Sequence, residues 1–315
     1  MTPLAPAVKA KLQIHFCVAL WGFTAILGKL ITLGALPLVW WRMGIVVVAL
    51  ALLRRTWRGV RAMSARVILA YAGIGALVAL HWLTFYAAIK LANASVGATC
   101  MALATPFTAL IEPKLMGRRI SLRELFLGIA VIPGVVLVVG GVPTSMRLGI
   151  AVGALSALFV AVFGSLNKRM VEHGDALAVS ALELGAGALT LTILAPLLAW
   201  CAPQIVGVAF AMPDLHDGIL LLVLALACTL LPFTLSLVAL RHMTAFAAQL
   251  AINLEPVYAI ALAALLLGEQ RELTPTFYAG VGVILAVLFL HPLISRPRRI
   301  TQPEVLGTSE AKIVD

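Results

Sequence analysis

The sequence predicts an all-α integral membrane protein with ten transmembrane helices in two inverted five-helix repeats. Three observations lead to this fold class: the apolar composition, ten apolar segments of spanning length, and an uneven distribution of basic residues. Of the 315 residues, 62% are hydrophobic and 11% are charged. Soluble domains have roughly 45–50% apolar and about 25% charged residues, so lipid has to solvate most of this chain.

Ten apolar segments follow one another, each of a length that can cross the hydrocarbon core of a bilayer. They cover 12–33, 36–53, 67–89, 94–113, 124–142, 148–167, 177–200, 217–240, 245–267 and 275–294. Their many glycines and alanines suit close helix contacts in lipid. The expected organisation is an N-terminal stretch at 1–11, a first repeat at 12–142, a second repeat at 143–294 and a disordered polar tail at 295–315.

Basic residues concentrate in alternate loops. If the N-terminus is cytoplasmic, most of the 23 lysines and arginines fall in cytoplasmic segments, and the outer loops hold only Lys90, Arg147 and Arg271. This distribution follows the positive-inside rule and predicts a multi-pass protein of the bacterial inner membrane with both termini in the cytoplasm. It also accounts for the net charge of +10 without nucleic acid as a partner.

The sequence contains no pattern typical of a metal site, a cofactor site or a familiar catalytic reaction. Its four cysteines, Cys17, Cys100, Cys201 and Cys228, stand apart in apolar runs without CxxC or Cys/His spacing. The GxSxG, HExxH, Walker and dinucleotide-binding motifs are absent. We therefore assign no metal, cofactor or catalytic residue and predict that the protein is not an enzyme.

The two halves of the chain share a weak internal pattern. Pro106 in the first half and Pro256 in the second occupy matching positions within an apolar segment, and Gly117 or Gly268 follows at the segment's end. Each half has five predicted spans, and an odd number places the halves in opposite orientations. Inverted repeats are a frequent plan of secondary transporters, whose substrate site lies near the membrane midplane between the repeats.

Several segments resemble the EamA-type branch of the drug/metabolite transporter superfamily. The resemblance rests on Ala19-Leu20-Trp21-Gly22, Arg42, His81–Tyr86, Lys90–Ser95, and Asn253–Tyr258 followed by Leu267-Gly268-Glu269. It covers about residues 12–294 and implies ten helices in inverted repeats, cytoplasmic termini, and export of amino acids, metabolites or drugs. The first half departs from the family pattern at Glu112-Pro113-Lys114 and at Arg118 after Gly117, so no role is transferred from Glu269 to the first half.

Two carboxylates inside predicted spans are candidates for binding a substrate or a proton. A charge near a helix centre costs at least about 2.5–3.5 kcal/mol and usually faces the bundle interior or a wet cavity. Glu255 precedes Pro256, where a kink can free backbone carbonyls, and Glu183 lies among apolar residues of the seventh span. The alternative for each is a structural ion pair with an intramembrane cation, such as Arg42 or Lys29 for Glu255.

The ninth span carries further polar candidates. Gln249 and Asn253 are four residues apart and share one helix face, while Glu255 points roughly the opposite way. A helix with polar groups on both faces is expected at the centre of the bundle. The amides can bind a substrate or join helices, and Tyr258 is a further cavity candidate.

An aromatic strip on the third span suggests a cavity wall. His81 and Phe85 share a face, with Trp82 and Tyr86 on the adjoining strip, and Trp21 on the first span is added as a cavity candidate. Such rings can stack on a substrate or attract a cation, and His81 is, with Glu183 and Glu255, a candidate for binding a proton or a substrate. The alternative is that they anchor the helix at the membrane interface.

The sequence therefore predicts a secondary transporter for small metabolites such as amino acids or amphiphilic drugs. We expect export by alternating access, with protons as a candidate coupling ion and the lipid bilayer as surroundings. The pattern leaves the oligomeric state open. Two other classes stay open: a membrane-embedded enzyme that acts on a lipid-linked substrate, and a non-transporting partner or sensor subunit.

Overall fold

The computed structural model describes the backbone of residues 5–294 and the side chains of residues 5–287. Within these residues the chain is helical throughout and contains no β-strand. The predicted disordered tail at 295–315 lies outside the described residues.

Sixteen α-helices make up the described part of the chain. They are α1 (Pro6–Leu30), α2 (Ala35–Ala51), α3 (Arg54–Arg61), α4 (Ala65–Leu91), α5 (Ala94–Cys100), α6 (Ala104–Leu115), α7 (Leu122–Ala130), α8 (Ile132–Gly140), α9 (Arg147–Met170), α10 (Ala176–Cys201), α11 (Pro203–Val206), α12 (Leu215–Ala225), α13 (Leu231–Leu240), α14 (Ala245–Ile252), α15 (Glu255–Leu266) and α16 (Pro275–Ile294). A π-helical turn at Leu226–Leu230 joins α12 to α13.

Among the described residues, eight helical stretches are long and apolar enough to cross a membrane. They are Pro6–Leu30, Ala65–Leu91, Ala94–Leu115, Leu122–Gly140, Thr144–His173, Ala176–Cys201, Leu215–Leu240 and Ala245–Leu266. The pair α2 and α3 makes a ninth if it is counted as one bent span. Helix α16 coincides with the tenth predicted segment, and the total of ten spans remains a prediction.

The second predicted span ends earlier than expected, and a short helix replaces the predicted basic loop. Helix α2 stops at Ala51, and α3 continues at 90° to it. Placing the four arginines of α3 in hydrocarbon would cost a large free energy of desolvation. This explains why the chain changes direction after α2. The indole of Trp57 donates a hydrogen bond to the carbonyl of Ala51 at 2.7 Å and so satisfies the end of α2.

Two spans are broken near their middle. A 3₁₀ turn at Met101–Leu103 separates α5 from α6, and Asn253 and Leu254 separate α14 from α15. Pro106 and Pro256 follow these breaks, and proline removes the hydrogen bond to the residue four positions earlier. The kink expected at Pro256 is therefore present in the backbone.

The break lies within the span that was expected to carry polar groups on two faces. Asn253 is the C-cap of α14, whereas Glu255 is the first residue of α15. The two side chains therefore belong to separate helices, and both are buried.

Glycines allow the closest helix crossings in the bundle core. Helix α4 packs between α9 and α10, and a Cβ added at Gly75 would lie 2.1 Å from the carbonyl oxygen of Glu183 on α10. A Cβ at Gly134 of α8 would lie 2.8 Å from the carbonyl oxygen of Gly280 on α16. Small residues in lipid serve this purpose, because they let helix backbones approach each other.

Candidate functional site

A cavity of about 120 Å³ lies inside the bundle, next to both helix breaks. Met101 lines it at the first break, and Ile252 and Glu255 line it at the second. The space exceeds the roughly 10–15 Å³ that one water molecule needs. Its polar lining residues are Thr24, Arg42, His81, Asn167, Ser236, Gln249 and Glu255.

The guanidinium of Arg42 is the cation of this cavity, and it is buried without an acidic partner. Arg42 is 2% exposed, and among the described side chains no carboxylate lies within salt-bridge distance of it. It donates hydrogen bonds to the hydroxyls of Thr229 at 2.5 Å and Tyr86 at 2.8 Å. Its positive charge also lies 3.9 Å from the ring centre of Trp82, a cation–π contact.

The π-helical turn contributes to the position of Arg42. Pro232 has no N–H group with which to bond the carbonyl of Cys228 four residues earlier, and that carbonyl lies 3.4 Å from the guanidinium. The hydroxyl of Thr229 donates to the carbonyl of Leu224 at 2.6 Å, and its oxygen accepts the bond from Arg42. π-helical turns are frequent at functional sites.

Glu255 supplies the carboxyl group of the cavity. It begins α15, is 7% exposed and lines the same space as Arg42. The two side chains interact electrostatically, but they form no salt bridge. The structural ion pair that the sequence left open as an alternative is therefore not formed between these two side chains, and both line the cavity.

His81 forms one wall of the cavity. Its Nδ1 lies 3.1 Å from the carbonyl oxygen of Ser156, and a carbonyl can only accept. The hydroxyl oxygen of Ser156 lies closer to Nδ1, at 2.8 Å, and its own proton can be donated to the backbone carbonyl of His81, so both Ser156 oxygens can accept from a protonated Nδ1. The imidazole lies 6.1 Å from the ring of Phe85 and 5.4 Å from that of Phe163.

Aromatic rings cover much of the remaining lining. Trp21, Trp82 and Phe85 were predicted to face a cavity, and all three line this one. The ring of Phe233 packs edge-on against Trp82, with the ring centres 5.9 Å apart. The cavity thus combines a guanidinium group and a carboxyl group with an apolar, aromatic wall.

Glu183 lies next to the cavity, behind Asn167. It is fully buried on α10, and Asn167, which lines the cavity, donates a hydrogen bond to its Oε2 at 3.2 Å. Neither Oε1 of Glu183 nor Oδ1 of Asn167 has a hydrogen-bond partner in the described part of the chain. A protonated carboxyl group is a donor as well as an acceptor, so protonation of Glu183 changes the hydrogen bonds that this pair can form.

The remaining predicted residues lie elsewhere. Gln249 lines the cavity as expected, but Asn253 bonds the hydroxyl of Thr105 between the two broken spans. Tyr258 is 44% exposed, and its Cβ packs against Gly22, away from the cavity lining. Tyr86 is buried behind Arg42.

Lys29 is the second cation that was considered as a partner of Glu255. It lies in the last turn of α1 with an exposed side chain, and the described residues include no carboxylate in salt-bridge distance of it. The long lysine side chain can reach the interface from the end of a span. Its predicted role as a partner of Glu255 therefore has no geometric support.

Several lining residues were missed in the sequence. Phe163 and Asn167 stand four apart on α9, and Phe233 and Ser236 stand three apart across the start of α13, spacings that put each pair on one helix face. Thr24 follows Trp21 by three residues on α1, and both line the cavity. This helical spacing was visible in the sequence, but nothing marked these faces as inward, because phenylalanine and serine are common on lipid-facing and packed surfaces.

The sequence matches the model of the EamA-like transporter family twice, over residues 10–140 and 147–292. The chain belongs to this family. Members of the EamA-like family are transporters, and the chain is accordingly a multi-pass membrane protein of the drug/metabolite transporter type. The family match confirms the predicted resemblance.

The fold also occurs in a solved structure. A protein described only as "Crystal structure of protein" superposes with a TM-score of 0.65 over 92% of this chain and 98% of its own, at 16% sequence identity. At that identity the likeness concerns the fold alone. No curated protein matches the sequence.

Proposed function

We propose that this EamA-like protein is a secondary transporter that exports small amphiphilic metabolites, such as amino acids, by alternating access. The observation that carries the proposal is the cavity in which Arg42 and Glu255 stand unpaired among aromatic rings. A substrate with a carboxylate, an amine and an apolar body matches these three features. Arginine binds carboxylates through two parallel hydrogen bonds, and its planar cation keeps its charge in an apolar site.

The proposed topology has ten spans in two inverted repeats, with both termini in the cytoplasm of the inner membrane. Helices α2 and α3 form the second span and an interfacial turn, and α16 forms the tenth span. The arginines of α3 then lie at the cytoplasmic surface, in agreement with the positive-inside rule. The turn at 241–244 lies on the same side.

The two ends of the bundle differ in their packing, and this supports alternating access. At the end near the 241–244 turn, a small separate apolar cluster contains Ile14, Val171, Leu240 and Ala248. Ile14 and Leu240 also line the cavity, so only a thin apolar layer lies between it and that end. At the opposite end, Asp217 binds the backbone N–H groups of Thr32 and Leu33.

Proton coupling through Glu183 is part of the proposal. The carboxyl group is separated from the cavity only by Asn167, whose amide group can turn with the protonation state of its neighbour. A substrate that enters the cavity alters the contacts of Asn167, and through it those of Glu183. Protonation and substrate binding then influence each other, which is what coupled transport requires.

Flux into proteoliposomes tests the proposal. The purified protein is reconstituted, and uptake of labelled amino acids and amphiphilic cations is measured with and without a pH gradient. We expect saturable uptake by the wild type, at least about tenfold slower uptake by Glu255→Gln or Arg42→Gln, and loss of gradient-driven uptake with retained exchange in Glu183→Gln. Glu124→Gln, outside the cavity lining, serves as the control.

The outcomes distinguish the parts of the proposal. Saturable uptake that is unchanged in Glu255→Gln and Arg42→Gln contradicts the assigned cavity. Uptake that responds to pH in Glu183→Gln as it does in the wild type contradicts the proton site. An absence of uptake for every compound class contradicts the proposed substrates.

A further inference from the structure

The N-termini of α5 and α14, the first halves of the two broken spans, are each bound by a carboxylate from the other repeat. At one end of the bundle, Oε1 and Oε2 of Glu112 accept hydrogen bonds from the backbone N–H groups of Ala245 at 3.1 Å and Phe246 at 2.7 Å. We call this contact the inner clamp. Glu112 belongs to α6, the second half of the other broken span.

The matching contact lies at the opposite end. Oε1 and Oε2 of Glu269 accept from the backbone N–H groups of Ala94 at 3.0 Å and Ser95 at 2.9 Å, and Oε2 also accepts from the hydroxyl of Ser95 at 2.6 Å. We call this contact the outer clamp. Glu269 begins the 3₁₀ turn Glu269–Arg271, with two residues between it and the end of α15.

Both clamps complete a helix N-terminus in the same way. The first N–H groups of a helix have no partner within the helix, and a negative charge is favoured there. The residue before each helix supplies one acceptor: Asn93 accepts from the N–H of Val96, and Thr244 accepts from that of Ala247. The carboxylate from the other repeat supplies the acceptors for the first two N–H groups.

The clamps connect the half-helices crosswise. Helix α6 packs against α14, and α5 packs against α15, so each pair joins the first half of one broken span to the second half of the other. The breaks at Met101–Leu103 and at Asn253–Leu254 lie between the two pairs and beside the cavity. Each pair can move relative to the other at these breaks while its own clamp remains formed.

We propose that Glu112 and Glu269 are positioning residues of the transport cycle, each of which controls access to the cavity from its own side of the membrane. Glu112 acts through α14, whose Ala245, Ala248 and Gln249 line the cavity. Glu269 acts through α5 at the opposite end. This inference rests on the proposed topology, and it goes beyond the proposed substrate and proton sites.

The two clamps differ in their surroundings. Arg118 forms an ion pair with Glu112 at 3.2 Å, and the same guanidinium also bonds Glu124. Glu269 is 2% exposed and has no cation within salt-bridge distance in the described part of the chain. Glu272, close to it in sequence, accepts from the side-chain amide of Asn93 at 3.3 Å.

Glu124 and Glu272 provide matched control positions, because each lies next to a clamp and contacts a side chain there instead of the first two N–H groups of the helix.

Labelling of one cysteine from either side of the membrane tests the proposal. Ser236→Cys places a thiol in the cavity lining, and Cys201→Ser removes the exposed native thiol, because the other three native cysteines are buried. A membrane-impermeant maleimide is applied to inside-out vesicles or to spheroplasts, and the rate of labelling is measured. No substrate is present, so the result does not depend on which compound is transported.

We expect opposite sidedness for the two substitutions. Glu112→Gln should raise the labelling rate about tenfold in inside-out vesicles and leave the rate in spheroplasts within about twofold, as expected when charge-assisted hydrogen bonds are lost at one end. Glu269→Gln should do the reverse. Glu124→Gln and Glu272→Gln should leave both rates within about twofold of the starting protein.

A general loosening of the bundle gives a different result. Equal changes from both sides, or no change in either preparation, overturn the proposal. If Glu112→Gln does not accumulate, Glu112→Asp is used, because the shorter side chain keeps the charge but cannot reach both N–H groups, and the same sidedness is expected. A transporter without flux for any tested compound can still show this sidedness, so failure of the proposed function is recognised separately.

Discussion

Gly73 and Gly75 stand two residues apart on α4, but their surroundings differ. A Cβ added at Gly73 meets no atom within 4 Å, whereas one at Gly75 would lie 2.1 Å from a backbone oxygen of α10. Replacement of glycine by alanine within a helix normally stabilises it by about 0.5–1 kcal/mol. The neighbour at Gly75 is backbone and cannot turn away, so the crossing itself would have to widen.

The pair provides a prediction for the stability of the helix crossing. Gly75→Ala should lower the thermal unfolding midpoint in detergent, because overpacking costs about 1–3 kcal/mol. Gly73→Ala should leave the midpoint unchanged or raise it slightly. Equal midpoints for the two variants would show that α4 and α10 are not in contact at this residue.

Individual cavity residues could be predicted where their chemistry is unusual for a membrane. Charged Glu255 and Arg42 and the imidazole of His81 are expensive in lipid, so the sequence alone indicates an inward direction. Asn253 and Tyr258 have no such constraint, and their positions depend on the break before Pro256 and on the contact with Gly22. Neither can be derived from helical periodicity, since the break resets the helix direction.

At the scale of elements, a short connection between α1 and α2 is fixed by one residue of α12. The carboxylate of Asp217 accepts from the N–H groups of Thr32 at 3.0 Å and Leu33 at 3.2 Å and from the hydroxyl of Thr32 at 2.8 Å. The amine of Lys90 donates to the carbonyl of Ile31 in the same connection.

Asp217→Ala should therefore release this connection. Loss of its three hydrogen bonds should destabilise the protein by about 1–3 kcal/mol and make the connection more susceptible to protease added from the outer side. His216→Ala removes only a contact of 3.4 Å with Asp217 and is the control. A cleavage rate that is the same in both variants would contradict the role of Asp217.

The sequence predicts the long apolar elements better than the short ones. The spans follow from hydropathy, because lipid requires a run of apolar residues closed by internal hydrogen bonds. Helix α3 was not predicted, because four arginines within a segment of eight residues indicate a loop. The breaks in the fourth and ninth predicted segments were partly visible through their prolines, but the partners that satisfy the broken ends come from distant parts of the chain.

At the scale of the whole molecule, the clamps make each repeat depend on the other. Glu112 completes the N-terminus of α14, and Glu269 completes that of α5. Glu112 is therefore the counterpart of Glu269. It lies in the segment Glu112-Pro113-Lys114, where the first half departs from the family pattern. The repeat pattern in the sequence was too weak to indicate this pairing, because the two glutamates occupy different positions relative to their glycines, Gly117 and Gly268.

Division of the chain between α8 and α9 tests this dependence. Residues 1–143 and 144–315, expressed separately, should be degraded, and the two fragments expressed together should copurify through a tag on one of them. Copurification should weaken when the fragments carry Glu112→Gln and Glu269→Gln, since each loses charge-assisted hydrogen bonds between the fragments. A stable single fragment with protected α5 amides would contradict the predicted dependence.

The crosswise clamps also impose an order on synthesis. Glu112 enters the membrane long before Ala245 leaves the ribosome, a delay on the order of ten seconds at ordinary translation speeds. During that time the carboxylate of Glu112 can pair with Arg118, which is synthesised shortly after it. The first backbone N–H groups of α5 lack their acceptor for even longer, because Glu269 is synthesised after Ala245. The nascent first half therefore cannot mature on its own, and membrane proteases have their best access to it during this interval.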